Sequence, residues 1–320
     1  MRIVVHGQQA FGKAVLEKLL EQGENIVAVC TAPDKEEKPL DPVKEFALEK
    51  GLAVHQPGSW KTEEALTLMQ SFEADVCIMA YVLLFIPQPV LDAPRLGSFQ
   101  YHPSLLPMHR GPSSINWPIA MGSEKTGLSI FWPDEGLDEG PILMQKFCDI
   151  GPDETLADIY FKKLFPMGVD AMLESLERVK NGDAPRIVQD LEKGSYESWF
   201  GKKQANIDWS QSAQDIYNII RAGNPQPGAW TTDQNGELQI FNSRLVKNVD
   251  GKAGEVCSIT DSAFIVAAGD SNGIEIQRVK PAGGSKILSP EYFLTQAIKV
   301  GDILGDKWPV KNILASCPPS

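Results

Sequence analysis

The chain has 320 residues, of which 42% are hydrophobic and 22% charged, with a formal net charge of −12. This balance excludes a disordered or fibrous chain, and the length suits one large domain or, better, two. The negative surplus disfavours tight nucleic-acid binding, whose affinity comes mainly from neutralised phosphates. The five cysteines (Cys30, Cys77, Cys148, Cys257, Cys317) are odd in number and show no CxxC or metal spacing, so mostly buried thiols in a reducing cytosol are expected. No run approaches a membrane span and "MRIVVHG" enters a strand at once, so the expectation is a cytoplasmic protein with no membrane partner.

In chain order, "RIVVHG" (Arg2–Gly7) reads as a buried strand and "AFGKAVLEKLLEQG" (Ala10–Gly23) as an amphipathic helix closed by glycine. "NIVAVCT" (Asn25–Thr31) is a second apolar strand, and "DPVKEFALEKG" (Asp41–Gly51) a helix with proline in its first turn. "LAVHQP" and "ADVCIMAY" (Ala74–Tyr81) continue the alternation, which predicts a parallel sheet covered by helices on both faces. In such a sheet ligands lie beyond the C-terminal strand ends, where Gly7, Tyr81 and the His102 stretch fall.

The first loop, "GQQAFGKA", has the Gly7, Gly12 and Lys13 spacing of a phosphate loop, but Ala14 replaces the Mg²⁺-binding hydroxyl. It also lacks GxGxxG, which leaves little support for a dinucleotide. A tight strand-to-helix turn is the better reading. "YVLLFIPQPVL" (Tyr81–Leu91) reads either as core plus turn or as an apolar wall suited to a flat heteroaromatic ring.

The next stretch is "FQYHPSLLPMHRG" (Phe99–Gly111), in a chain with only four histidines. Alternation on a strand places Gln100 and His102 on one face and Tyr101 on the other, with Pro103 ending the ladder. That amide and imidazole form either a site or a satisfied polar pair at a sheet margin. "HRGPSSINW" puts Arg110, Gly111, Ser113 and Ser114 ahead of a helix, where they serve an anion or simply cap. "FWPDEGLDEGPILMQK" (Phe131–Lys146) sets Asp134, Glu135, Asp138 and Glu139 between two strand-like runs. A solvated turn accounts for Glu135 and Glu139. Asp138, in a glycine-bearing loop, could orient an imidazole. Nothing beside His102 has metal-ligand spacing, so no metal is expected.

"GDAPRIVQDLEKGSYESWFGKKQ" is a polar connector, with a boundary near residue 203. "SAQDIYNIIRAG" (Ser212–Gly223) is a helix, and "GAWTT", "ELQIFNSRLV", "AGEVCSIT", "AFIVAAG" and "GIEIQRVKP" are short strands of a small open barrel. The end, "ASCPPS", is expected to fray.

"YHPSLLPMHRGPSSINW", "FWPDEGLDEGPILMQK" and "NIDWSQSAQDIYNIIRAGNPQPGAW" together resemble the 10-formyltetrahydrofolate-using formyltransferase/hydrolase family. The family includes methionyl-tRNA, glycinamide ribonucleotide and sugar N-formyltransferases and the hydrolase module of 10-formyltetrahydrofolate dehydrogenase. The resemblance covers almost the whole chain, with SLLPxxRG and DxGLDxG in order. It implies a Rossmann-like formyl-transfer domain over residues 1–203 and an OB-like β-barrel over 204–314. "INWPI", "SIFWPDEGLD", "KLFPMG" and "NPQPGAWT" look closest to the dehydrogenase module. With no carrier or aldehyde dehydrogenase region among its residues, the chain is expected to differ from the full bifunctional enzyme.

The family's catalytic set is Asn, His and Asp. His102 and Asp138 match it, whereas Gln100 stands at the Asn position, as in the dehydrogenase module, which also lacks Asn there. By resemblance, Tyr81, Leu83, Phe85, Ile86, Pro87, Glu139 and Gly140 hold the folate, and Ser104, Arg110 and Gly111 meet an acceptor or anion. The implied reaction is hydrolysis of 10-formyltetrahydrofolate to formate and tetrahydrofolate. Formyl transfer to a small amine or amino sugar nucleotide is the alternative. The loop "APDKEEKPLDP" lacks the long basic insertion of the tRNA enzyme, which speaks against tRNA. A non-catalytic folate binder is the remaining class.

Overall fold

The computed structural model describes residues 1–296 and 298–305. Residues 306–314 of the expected barrel, the "ASCPPS" end and Cys317 lie outside the described residues. The chain runs β1 (Arg2–Gly7), α1 (Gln9–Glu21), β2 (Asn25–Cys30), α2 (Pro42–Glu49), β3 (Val54–His55), α3 (Glu63–Ser71), β4 (Val76–Ala80), α4 (Gln88–Leu91) and β5 (Ser98–His102). Then come α5 (Asn116–Ala120), β6 (Lys125–Phe131), β7 (Ile142–Asp149), α6 (Leu156–Ile159), a π-helical turn at Tyr160–Leu164, and α7 (Phe165–Asn181). After α8 (Ala213–Ala222) the strands are β8 (Ala229–Asp233), β9 (Gly236–Ile240), β10 (Ser243–Val246), β11 (Val256–Ile259), β12 (Phe264–Ala267), β13 (Gly273–Ile276), β14 (Arg278–Pro281) and β15 (Ile287–Leu288), before α9 (Ser289–Gln296).

Two compact units emerge. One contains Met1–Ser114, Lys125–Asp149 and Tyr160–Ser198; the other contains Ile115–Glu124, Ile150–Ile159 and the residues from Trp199 onward. In the first, a seven-stranded sheet has the order β3-β2-β1-β4-β5-β6-β7. The strands from β3 to β5 are parallel, as the alternating apolar runs require, and Ile3, Val4, Val5, Val76 and Ile78 are fully buried. Strands β6 and β7 depart from the expected parallel arrangement, because each pairs antiparallel with its neighbour. The short Trp132–Pro141 loop cannot carry the crossover that a parallel pair needs.

The strand order reverses between β1 and β4, which is where doubly wound sheets open a crevice. A Cβ at Gly7 would stand 2.6 Å from the Ala80 carbonyl, so glycine lets the first loop close against β4. Gly12 packs on the same turn, its would-be Cβ 3.1 Å from the Gly7 carbonyl carbon. The helices stop where expected, since Gly23 and Gly51 follow them with φ of 77° and 71°. The Asp41 carboxylate caps α2 at Val43 and also accepts from the Gln9 amide, tying α2 to the first loop.

The second unit holds two four-stranded antiparallel sheets, β10-β13-β12-β11 and β15-β14-β9-β8. Two runs that read as single strands are divided between them. "ELQIFNSRLV" splits at Phe241–Asn242 into β9 and β10, and "GIEIQRVKP" splits at Gln277 into β13 and β14. The carbonyl of Asn242 accepts from the Gln277 amide, so both runs break at one corner. Ser212 caps α8, whose Ile216 and Ile220 join Leu238, Phe264, Ile274 and Ile276 in the unit's core.

Candidate active site at the end of β5

Strand β5 ends at His102, with Pro103 next. Its pairing with β6 sets Gln100 opposite Phe131 and His102 opposite Ser129, so these four share one face. Phe131 presents an edge-on contact to the His102 ring, with centroids 6.4 Å apart. Tyr101 faces the other way, stacked on Phe11 at 4.3 Å. Burial pushes its hydroxyl well above the usual tyrosine range, so it stays neutral.

The loop after His102 is anchored from below. Ser129 donates to the Ser104 carbonyl (2.8 Å) and accepts from the Leu106 amide (3.0 Å), while Gln145 donates to the Leu106 carbonyl (2.8 Å). The loop then returns so that the His109 carbonyl stands 3.0 Å from His102 Nε2. A carbonyl only accepts, so Nε2 carries the proton and Nδ1 is the ring's other face. Nδ1 stands 3.7 Å from Asp138 Oδ2, in a pair whose side chains are only 7% and 10% exposed. Asp138 Oδ2 also accepts from the Gly111 amide (2.9 Å).

Asp138 adopts φ 57°, His109 φ 56° and Tyr81 φ 65°, so three non-glycine residues around the strand ends sit in the left-handed region. Such conformations persist only where the surroundings enforce them. Gly140 enforces one: a Cβ there would overlap the Trp132 carbonyl, so the acidic loop folds flat on the end of β6. Gln189 enforces it further, donating to the carbonyls of Asp138 (3.0 Å) and Gly140 (2.7 Å).

Gln189 belongs to the segment that reads as a polar connector. In the structure that segment is part of the first unit: Ile187 bridges Ile142, and Tyr196 bridges Arg110. Gln189, Ser195 and Glu197 are residues of this segment that support the site and that sequence reasoning missed. Their neighbourhood offers no periodicity that would mark them.

The remaining expected site residues divide. Gln100 lies beside His102 on the same face, half-buried, and its side-chain amide makes no hydrogen bond among the described residues. Leu83 and Phe85 project from an irregular segment after β4, 59% and 58% exposed, with Tyr81 at its start and half-buried Pro87 at its end, capping α4. Ile86, in the same segment, is buried in a cluster with Met79, Val90 and Leu91. Ser104 is fully buried and donates to the carbonyls of Met108 and His109. Arg110 is ion-paired with Glu139, which engages both residues with each other. Gly111, with φ 104°, supplies a backbone donor to Asp138. Ser114 caps nothing, since the N-cap of α5 is Ile115 and no side chain caps that helix. Among the described residues, Cys30, Cys77, Cys148 and Cys257 form no disulfide, and no cluster of His, Cys, Asp and Glu is arranged to hold a metal. No helix among them is long and apolar enough to cross a membrane.

A glycine-bearing loop that closes its aspartate on a strand-end histidine, in a mostly parallel sheet, is the arrangement of an α/β enzyme with its site at the strand ends. The sequence comparisons agree. The formyl transferase domain matches residues 1–174 and the formyl transferase C-terminal domain matches residues 200–297. The chain belongs to the formyl transferase family.

Among curated relatives, it is 36% identical over 309 residues to cytosolic 10-formyltetrahydrofolate dehydrogenase of Xenopus laevis, covering 92% of this chain and 34% of that one. It thus spans about a third of the length of the first relatives it matches. It is 30% identical over 311 residues to methionyl-tRNA formyltransferase of Clostridioides difficile, covering 95% of this chain and all of that one. Among solved structures, HypX of Aquifex aeolicus in complex with tetrahydrofolic acid superposes with a TM-score of 0.65 at 20% identity, covering 92% of this chain and 48% of that one. An N-formyltransferase of Helicobacter canadensis, in complex with folinic acid and dTDP-3-aminofucose, gives 0.63 at 18%, covering 86% and 98%.

Proposed function

We propose that the protein hydrolyses 10-formyltetrahydrofolate to formate and tetrahydrofolate. The observation that carries this reading is the buried His102–Asp138 pair, with Nδ1 turned to the carboxylate and Gln100 on the same strand face. In this reading Leu83 and Phe85, with Tyr81 and Pro87, present apolar surface to the pterin. The Asp138–Gly140 loop, with Glu139, borders it. Water attacks the formyl carbon and gives up a proton, which His102 accepts at Nδ1. Asp138 stabilises the imidazolium that forms. Gln100 donates to the formyl oxygen as negative charge develops there. Collapse of the tetrahedral intermediate breaks the carbon–nitrogen bond as N10 takes a proton from His102, because an anilide is a poor leaving group. Formate leaves as the anion and one proton passes to solvent.

The similarity to 10-formyltetrahydrofolate dehydrogenase over its matching third supports water as the acceptor, as does glutamine at position 100. Transfer to an amine is the second reading, supported by the full-length match to a methionyl-tRNA formyltransferase. Within it a small amine is favoured over tRNA, because the chain carries a net charge of −12 and Arg110 is already paired with Glu139. We place the protein in the cytoplasm and assign residues 1–203 to catalysis and 204–314 to an OB-like barrel.

The test is incubation of purified protein with 10-formyltetrahydrofolate and no added acceptor, following formate and tetrahydrofolate. Release that falls by roughly 10²-fold or more in His102→Ala supports hydrolysis by this site. Binding without release redirects the assay to amine acceptors, and binding with no formylated acceptor makes the protein a non-catalytic folate binder.

A further inference from the structure

We propose that Glu197 is a positioning residue for His102, acting through His109. This rests on the reading of His102 as the group that moves the proton. The orientation of the His102 ring is set by its bond to the His109 carbonyl, and the direction of that carbonyl is set by the backbone of His109. His109 holds φ 56°, which a side chain of this size adopts only under restraint.

The restraint comes from Ser195–Glu197. Ser195 Oγ accepts from the His109 amide (3.0 Å), and its carbonyl accepts from the Arg110 amide (3.1 Å). The Glu197 amide in turn donates to the Arg110 carbonyl (3.1 Å). Glu197 Oε2 stands 3.2 Å from His109 Nδ1, and both side chains are almost buried, at 11% and 10% exposure. A carboxylate only accepts, so His109 Nδ1 donates, and the bond is charge-assisted.

The same segment reaches the other half of the catalytic pair. A Cβ at Gly111 would overlap the Glu197 carbonyl, so glycine lets the two strands of chain close. The Gly111 amide, held there, is the donor to Asp138 Oδ2. Glu197 therefore fastens the turn from which His102 and Asp138 both take a hydrogen bond, without facing the reacting atoms itself.

The experiment compares Glu197→Ala, Glu197→Gln and His109→Asn in the full chain by steady-state formate release and by the imidazole nitrogen resonances of His102. Asparagine suits the left-handed conformation at 109 but does not reproduce the contact to Glu197. Glu197→Ala and His109→Asn are expected to lower kcat roughly 10-fold, with KM for 10-formyltetrahydrofolate within about twofold, and to shift the His102 resonances away from the Nε2–H form. Glu197→Gln, which still accepts from Nδ1, is expected to recover most of both. Unchanged kcat and unchanged His102 resonances in Glu197→Ala or His109→Asn would overturn the proposal. So would a kcat loss in Glu197→Gln equal to that in alanine with the His102 resonances unmoved. If the wild type shows no His102-dependent release, the hydrolase reading fails, and the resonances alone still decide the positioning.

Discussion

The imidazole Nε2 of His102 donates to the backbone carbonyl of His109, 3.0 Å away, and this bond turns Nδ1 toward Asp138. In the proposed mechanism the main chain thereby chooses Nδ1 as the nitrogen that accepts the proton. A carbonyl cannot donate, so this bond holds the ring's proton at Nε2.

Gln100 is the residue whose role is most exposed to test. Removing one donor to a developing oxyanion costs about 10²–10³ in rate. Gln100→Leu is expected to lower kcat for formate release by that factor while leaving KM for 10-formyltetrahydrofolate little changed. Retention of more than half the wild-type kcat would remove Gln100 from the mechanism.

The segment after β4 offers a test of the proposed folate contact apart from stability. Leu83→Ala, at a position 59% exposed, is expected to raise KM several-fold with stability changed by no more than about 0.5 kcal/mol. Ile86→Ala, in the core with Val90 and Leu91, is expected to cost about 2–5 kcal/mol with KM unchanged in the folded fraction. Urea midpoints and KM values for the two variants settle the assignment, and the reverse pattern would exchange the two roles.

Gly140 tests the loop that carries Asp138. An added Cβ meets the Trp132 carbonyl, which is backbone and cannot swing aside, and the displaced loop loses its bonds to Gln189. Gly140→Ala is expected to destabilise by about 1–3 kcal/mol and to lower kcat more than Gly23→Ala, whose site meets no neighbour. Equal kcat in the two variants would mean that Asp138 is not held through this loop.

Acid sensitivity follows from His6. Burial at the end of β1, against Trp60, lowers its pKa from 6.5 to about 3, so it is neutral in the folded chain. Below pH 6.5 the unfolded chain binds a proton that the folded chain refuses, so stability falls as pH drops from 6.5 toward 3. At pH 5 the loss is about 2 kcal/mol relative to pH 7. His6→Leu removes this contribution, so its Tm should decline less steeply than that of the wild type between pH 6.5 and 4.5. Parallel curves would show that His6 is not the titrating group.

Much of the first unit was readable from local pattern. Apolar runs with glycine stops placed β1, β2 and β4 and the helices α1 and α2, and the alternation of Gln100, Tyr101 and His102 put the first and last on one face. The pairing of His102 with Asp138 was readable because SLLPxxRG and DxGLDxG carry it. The inward turn of Ile86 was not readable, because a continuous apolar run does not say which of its residues faces the core when the chain leaves regular structure. The bonding of the Ser104 hydroxyl within its own turn was likewise not readable, because it depends on how the loop returns on itself.

Residue type and spacing, then, were enough for the alternating strands and helices, the acidic glycine loop and the family, because each depends on turn chemistry and periodicity within a few residues. Folding in space decided the antiparallel turn of β6 and β7, the division of two strand-like runs between separate sheets, and the place of Gln189, Ser195 and Glu197 behind the site. His109 and Glu197 meet across a sequence separation of 88 residues. No local pattern encodes such a contact, because which buried donor a distant carboxylate satisfies is settled only when the backbone around both has closed.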